Sequence, residues 1–393
     1  MEAHIAEWLN LLVRWIHFIV GVAWIGASFY FNWLENHLNT KSPQDKGIHG
    51  NLWAVHGGGF YHLKKFTNGP DKLPEVLHWF KWEAYMTWVS GMTLLTIVYY
   101  YNAKAMMIDP SVYDLTPTMA IAIGIAAGVL SWFFYDILCK SLKSKPLLLG
   151  IVIFIYLAVL AYLLTQFLSA RAAYIHVGAA IGTIMAGNVF FVIIPAQKEL
   201  VKALSEDRIP DSSYGANGLL RSRHNNYLTL PVLFIMISNH FPTTYGNQYN
   251  WLILIAVSIV GIIARHYFNI RHISKAVWML PTALFGFIMI MLATMPAKQA
   301  ALEDANKVTT AQIMPIIEQR CNSCHSTKPT QAGFASAPAG LAYDVAGALE
   351  NNADKVNTQV MQKIMPLGNL TKMTNEEREQ VSRWYRSLKK EQE

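Results

Sequence analysis

The sequence predicts an all-α chain: a polytopic membrane bundle of about eight transmembrane helices over residues 1–296, a tether over 297–308, and a small soluble domain over 309–393. Three observations predict it. Of 393 residues, 53% are apolar and only 15% charged, whereas soluble domains carry about 25% charged residues. Almost the whole deficit lies before residue 297, where apolar runs recur at about the 20 residues that cross a bilayer. In the polar tail, Cys321-Asn322-Ser323-Cys324-His325 reads C-x-x-C-H, the attachment signature of c-type haem.

The expected spans are 8–30, 77–101, 118–139, 147–168, 172–195, 227–245, 249–269 and 276–295, the sixth being the weakest because Pro231 and Asn239 interrupt it. Trp8, Trp79, Trp82, Tyr99 to Tyr101, Tyr249 and Trp251 fall at span ends, where interfacial aromatics belong. Loops after the odd-numbered spans hold fifteen Lys and Arg, and the other side holds only Lys104 and Arg171. By the positive-inside rule both termini lie outside, which puts the C-terminal domain outside the cytoplasm. Glu2 and Glu7, with no basic segment ahead of the first span, argue against a cleaved signal peptide. The net charge of +7 comes largely from the inner loops, so no nucleic-acid partner is needed to explain it.

The cysteine motif agrees with this topology, since haem c is attached outside the cytoplasm. Two thiols three positions apart can bond to one porphyrin, and His325 becomes the proximal iron ligand. A zinc site would want a second ligand pair, and a thioredoxin-like motif would want a βαβ setting; neither is present. Cys139 sits in an apolar run and reads as a packed thiol.

The tail resembles a small class I-like cytochrome c domain. Thr309 or Thr310 caps a first helix ending near Arg320, and Thr374 to Glu377 forms a capping box opening a last helix through about Lys390. Val381, Trp384, Tyr385 and Leu388 give that helix an apolar stripe. Met365, forty residues after His325, is the expected second axial ligand, with Met361 and Met373 as competitors. A thioether ligand raises haem potential. Pro329 lies where a carbonyl can orient the proximal histidine.

Ionisable groups inside a bilayer are functional candidates. Arg14 and His17 share a face of the first span with Gly21, and His176 shares one with Ala180, Thr183 and Gly187 in the fifth. His17 and His176 are candidate ligands of a haem b, with Arg14 meeting a propionate and His240 able to replace either histidine. Alternatively, both histidines are packing groups bonded to nearby carbonyls. Glu83 and Asp136 read either as proton carriers or as carboxylates paired with Lys81 and Lys140. A second cluster lies in the inner loops: His49, His56 with three following glycines, and His62, then Arg221, Arg223, His224, Asn225 and Asn226. His56, Arg223 and His224 are the candidate catalytic residues, suited to a planar anion. Ordinary loop chemistry and positive-inside charge account for the same residues equally well.

The segments WIHFIVGVAWIGASFYFNWLE, WAVHGGGFYHLKKF, HVGAAIGTIMAGNVFFVIIPAQ and RSRHNNYLTLPVLFIMISNHFP, joined to a haem c tail, resemble the bacterial membrane-bound urate oxidases, or urate hydroxylases of the PuuD type. The resemblance implies oxidation of urate to 5-hydroxyisourate without hydrogen peroxide. Electrons would leave through the haem held by Cys321, Cys324, His325 and Met365 to a soluble cytochrome c or terminal oxidase. It assigns no urate-binding residue. The competing reading is a cytochrome subunit relaying electrons from quinol or another dehydrogenase. A third, a haem or metal transporter, rests on a short similarity of the first span to small membrane haem and copper proteins.

Overall fold

The computed structural model describes residues 2–41, 45–295, 307–331 and 334–392. The chain is mostly helical. α1 (Glu2–His37) leads into a two-stranded antiparallel hairpin, β1 (Ile48–His56) and β2 (Gly59–Phe66). α2 (Trp82–Leu95) continues through a π-helical turn to Tyr100. α3 (Pro117–Leu142), α4 (Pro146–Phe167), α5 (Ala170–Ser205), α6 (Ser212–Ser238), α7 (Asn250–Ile270) and α8 (Met279–Ala293) complete the bundle. The C-terminal domain contains α9 (Thr310–Arg320), α10 (Ala353–Met361) and α11 (Asn375–Gln392).

Local chemistry sets several of these boundaries. Thr116 caps α3 by accepting from the Met119 N–H, with Pro117 at the first position, where its missing N–H costs nothing. Asp211 opens α6 by accepting from the Ser213 N–H at 2.8 Å. In α5 the π turn Asn188–Ile193 precedes Pro195. Widening the helix there relieves the clash of the proline ring with the preceding turn.

Five helices are long and apolar enough to cross a membrane: α1, α3, α4, α5 and α7. The other three expected spans are helical too, but α2 has 14 residues, α8 has 15, and α6 begins with a polar half. For those three, crossing rests on sequence alone. α5 is the central helix, 56% of its most apolar stretch being buried against 6% for α1. It approaches α6 through Gly178, where an added Cβ would lie 2.6 Å from Ile235.

Two expectations about secondary structure are corrected. Residues 49–62 do not form an open glycine loop, and the chain is not wholly helical, because alternating side chains on both sides of Gly57-Gly58 pair as a hairpin. Both glycines have positive φ (57° and 81°), as a tight hairpin turn requires. Arg221 to Asn226 are not a loop before a span; they lie inside α6, which starts at the Asp211 cap.

In the C-terminal domain, Thr309 and Gln312 form the first capping box, and Thr374 and Glu377 the second. α9 packs on α11, with Trp384 Nε1 donating to Thr310 Oγ1 at 3.0 Å and Arg320 forking onto Glu377 at 2.9 Å. Ile313, Ile317, Val381 and Trp384 are buried at this contact. The expected tether falls, over 297–306, outside the described residues. The domain is nevertheless placed by contact. Ile364 inserts into the hydrophobic core of the bundle, and Gly368 rests on the Ala105 and Ile108 carbonyls. This is the face that the loop charges assign to the outside.

Candidate functional site

The C-x-x-C-H motif follows α9 directly. Cys321 and Cys324 are free thiols. Burial pushes Cys321 up to about 12, with Cys324 adding to the shift, and burial also raises Cys324. No cluster of three or more metal-binding side chains exists among the described residues. His325 Nδ1 lies 3.0 Å from the Leu341 carbonyl, not from Pro329, which corrects that expectation. Donation from Nδ1 leaves Nε2 its lone pair, the tautomer an axial iron ligand needs. Burial, partly offset by the Leu341 hydrogen bond, keeps the imidazole below its ordinary range and therefore neutral. The donor set fits a covalent haem. Of the three methionines, Met373 belongs to the packed core, whereas Met361 and Met365 are both half-buried and lie outside that core cluster.

His17 and His176 share that tautomer. His17 Nδ1 lies 2.9 Å from Ser90 Oγ, whose own hydrogen goes to the Met86 carbonyl at 2.6 Å. His176 donates from Nδ1 to the Ala172 carbonyl at 2.8 Å, the bond of an ordinary packing histidine. Its Nε2 is buried without a partner, as is the Tyr100 hydroxyl, and both abut Gly124. The two histidines are not brought together. His17 sits beside Ser90 and Gly91, His176 beside Tyr99 and Tyr100. Nine residues of one helix separate these levels, about 14 Å of rise, whereas two ligands of one iron stand a few ångströms apart. Arg14 is exposed and bonded to Asn10 at 3.2 Å. His240 is exposed. A single haem b on His17 and His176, with Arg14 on a propionate, does not fit this arrangement.

The candidate catalytic residues are separated as well. His56 is exposed at the hairpin tip, and Arg223 is exposed on α6. His62 stacks on Trp53 at 4.1 Å. Only His224 joins a buried network: its Nδ1 lies 2.8 Å from Tyr135 Oη, which accepts from Asn188 Nδ2 at 2.9 Å. Asn188 also donates to Asn225 Oδ1 at 2.8 Å and accepts from Arg221 at 3.3 Å. Arg221 pairs with Asp136 at 2.5 Å, and Asp136 pairs with exposed Lys140 at 2.6 Å. Asp136 is thus paired with Lys140, as one reading expected. Glu83 makes no such bond to Lys81, and its Oε2 is buried without a partner.

The opposite side of α6 faces α1 and α7. Asn226 Oδ1 accepts from Arg265 Nε at 2.8 Å and from Asn269 Nδ2 at 2.9 Å. The Arg265 guanidinium lies 3.8 Å over the Phe29 ring. Sequence reasoning passed over Arg265, although a cation in the last third of an apolar run signals function. It also passed over Tyr135 and Asn188, whose partners come from other helices.

Residues 3–296 match the family described as urate oxidase N-terminal. No curated protein and no solved structure matches the chain.

Proposed function

The chain belongs to the urate oxidase N-terminal family, and we propose that it oxidises urate to 5-hydroxyisourate in the membrane and passes the electrons to a haem c carried on its own C-terminal domain. One observation carries this reading: the family match ends at residue 296, and a C-x-x-C-H motif follows in a domain docked on the bundle. Cys321 and Cys324 would attach the haem, and His325 and Met365 would ligate its iron. When bound, that group accepts electrons one at a time and hands them on, to a soluble cytochrome c or terminal oxidase.

Urate plus water gives 5-hydroxyisourate, two protons and two electrons. The protein must therefore hold a planar anion, admit one water and remove two protons. The network from His224 through Tyr135, Asn188 and Arg221 to Asp136 and Lys140 runs from the bundle interior to a surface cation. His224 stands at its inner end, held by Tyr135 at 2.8 Å. His56 and Arg223, exposed and apart from it, are left to recruit the anion from solution.

The test is anaerobic reduction of the purified, oxidised full-length protein. Urate is expected to raise the visible absorption band of reduced haem c, while xanthine and allantoin leave it unchanged. Reduction only by ascorbate or a quinol would make the chain an electron-relay subunit and end the urate reading.

A further inference from the structure

Two arginines are buried in the bundle, Arg221 at 4% exposure and Arg265 at 7%. They differ in one respect. Arg221 is paired with Asp136. Arg265 has no carboxylate partner among the described residues; its only hydrogen bond runs from Nε to Asn226 Oδ1, and Nη1 and Nη2 make none. A cation largely removed from water without a counter-ion is costly, a cost a bundle retains when the missing charge arrives with a ligand.

The groups around Arg265 are built for such a ligand. The Arg265 guanidinium carbon lies 3.8 Å from the centre of the Phe29 ring. Asn226 fixes its Nε edge and is itself held by Asn269. Nη1 and Nη2 are the donors left for a ligand, and a guanidinium recognises planar oxygen-bearing anions bidentately. Asn226 is fully buried, and its Nδ2 has no partner, which adds a neutral donor. One turn along α1 from Phe29, buried Asn32 donates to the Ser28 carbonyl at 2.8 Å, and its own carbonyl oxygen is left to accept. Asn36 of the same face donates to the Asn269 carbonyl at 3.0 Å, closing the inner end of the contact between α1 and α7.

We infer that Arg265, Asn226 and Asn32, backed by Phe29, form the binding site for the oxypurine anion, on the side of α6 opposite the His224 network. This rests on the urate reading and adds where the substrate is held. Donors and an acceptor in one cluster match a purine edge that alternates C=O and N–H, which a simple inorganic anion does not. Arg265 lies on one side of α6, and the network of Arg221 and His224 on the other.

The test compares steady-state kinetics of full-length variants with an artificial acceptor for the haem. Arg265→Gln is expected to raise the KM for urate about 10- to 100-fold, the loss of a charge-assisted fork, with kcat changed far less. Asn32→Ala removes a side chain whose hydrogen bond is local to α1, tests the same site without disturbing the helix contact and should raise KM several-fold. Arg265→Lys should recover only part of the affinity, since a point charge cannot fork. Reduction of the haem by dithionite reports in each variant whether the protein is intact. An unchanged KM in Arg265→Gln and Asn32→Ala, in protein that still turns over urate, overturns the assignment. Absence of any urate-dependent reduction in the unmodified protein overturns instead the function on which it rests.

Discussion

Replacing Arg378 with methionine is the sharpest probe of how the C-terminal domain holds its proposed axial ligand. Arg378 is buried at 5% exposure on α11. Its Nη1 donates to the Val360 carbonyl at 2.6 Å and the Met365 carbonyl at 2.7 Å, and its Nη2 reaches Asn369 Oδ1 at 3.3 Å. It therefore ties both ends of the segment that carries Met365. Methionine keeps a stem of similar shape and supplies no donor. Two carbonyls lose their partner at about 1–3 kcal/mol each, and removal of the buried charge returns part of its desolvation cost. The net loss is about 3 kcal/mol, which raises the population with an open segment on the order of 100-fold. A urea titration of the haem-loaded full chain, followed through the thioether-to-iron charge-transfer band, measures it. A shift below about 1 kcal/mol with the band intact would refute the reasoning, and would mean that docking alone holds the segment.

Two further outcomes follow from the same domain. Gly368 has a φ of 55° and rests on the bundle, where an added Cβ would lie 2.6 Å from the Ile108 carbonyl and 3.0 Å from that of Ala105. Gly368→Val should undock the domain, slowing haem reduction by urate at least about tenfold while dithionite reduction is unchanged; equal rates for both would show that this contact carries no electrons. Burial pulls the Glu377 carboxyl up, but hydrogen bonds from Arg320 and the Thr374 backbone, with the Arg320 and Arg378 charges, outweigh it and hold the group below its ordinary 4.5. A depressed carboxyl stabilises the fold above its unfolded value and loses that contribution as pH falls through the folded one. Glu377→Gln should therefore lower stability at neutral pH and flatten the acid limb below about pH 4.5, as read from unfolding midpoints across pH.

The sequence by itself determined what is local or compositional. Apolar runs set the helices, Thr309 and Thr374 set the capping boxes, and Cys321 to His325 set the motif on which the haem proposal rests, because each depends on residues within a few positions of one another. Loop charges pointed to the face on which the C-terminal domain is docked. Tertiary structure decided what depends on partners far along the chain. His17 and His176 look alike in sequence, yet α2 holds them at levels about 14 Å apart. Arg221, Arg223 and Arg265 are equally basic as letters. The fold buries the first against Asp136, exposes the second, and buries the third on Phe29 with no carboxylate partner among the described residues. Whether a charge is paired, solvated or buried away from other charges depends on which helices meet around it, and no single helix contains that information.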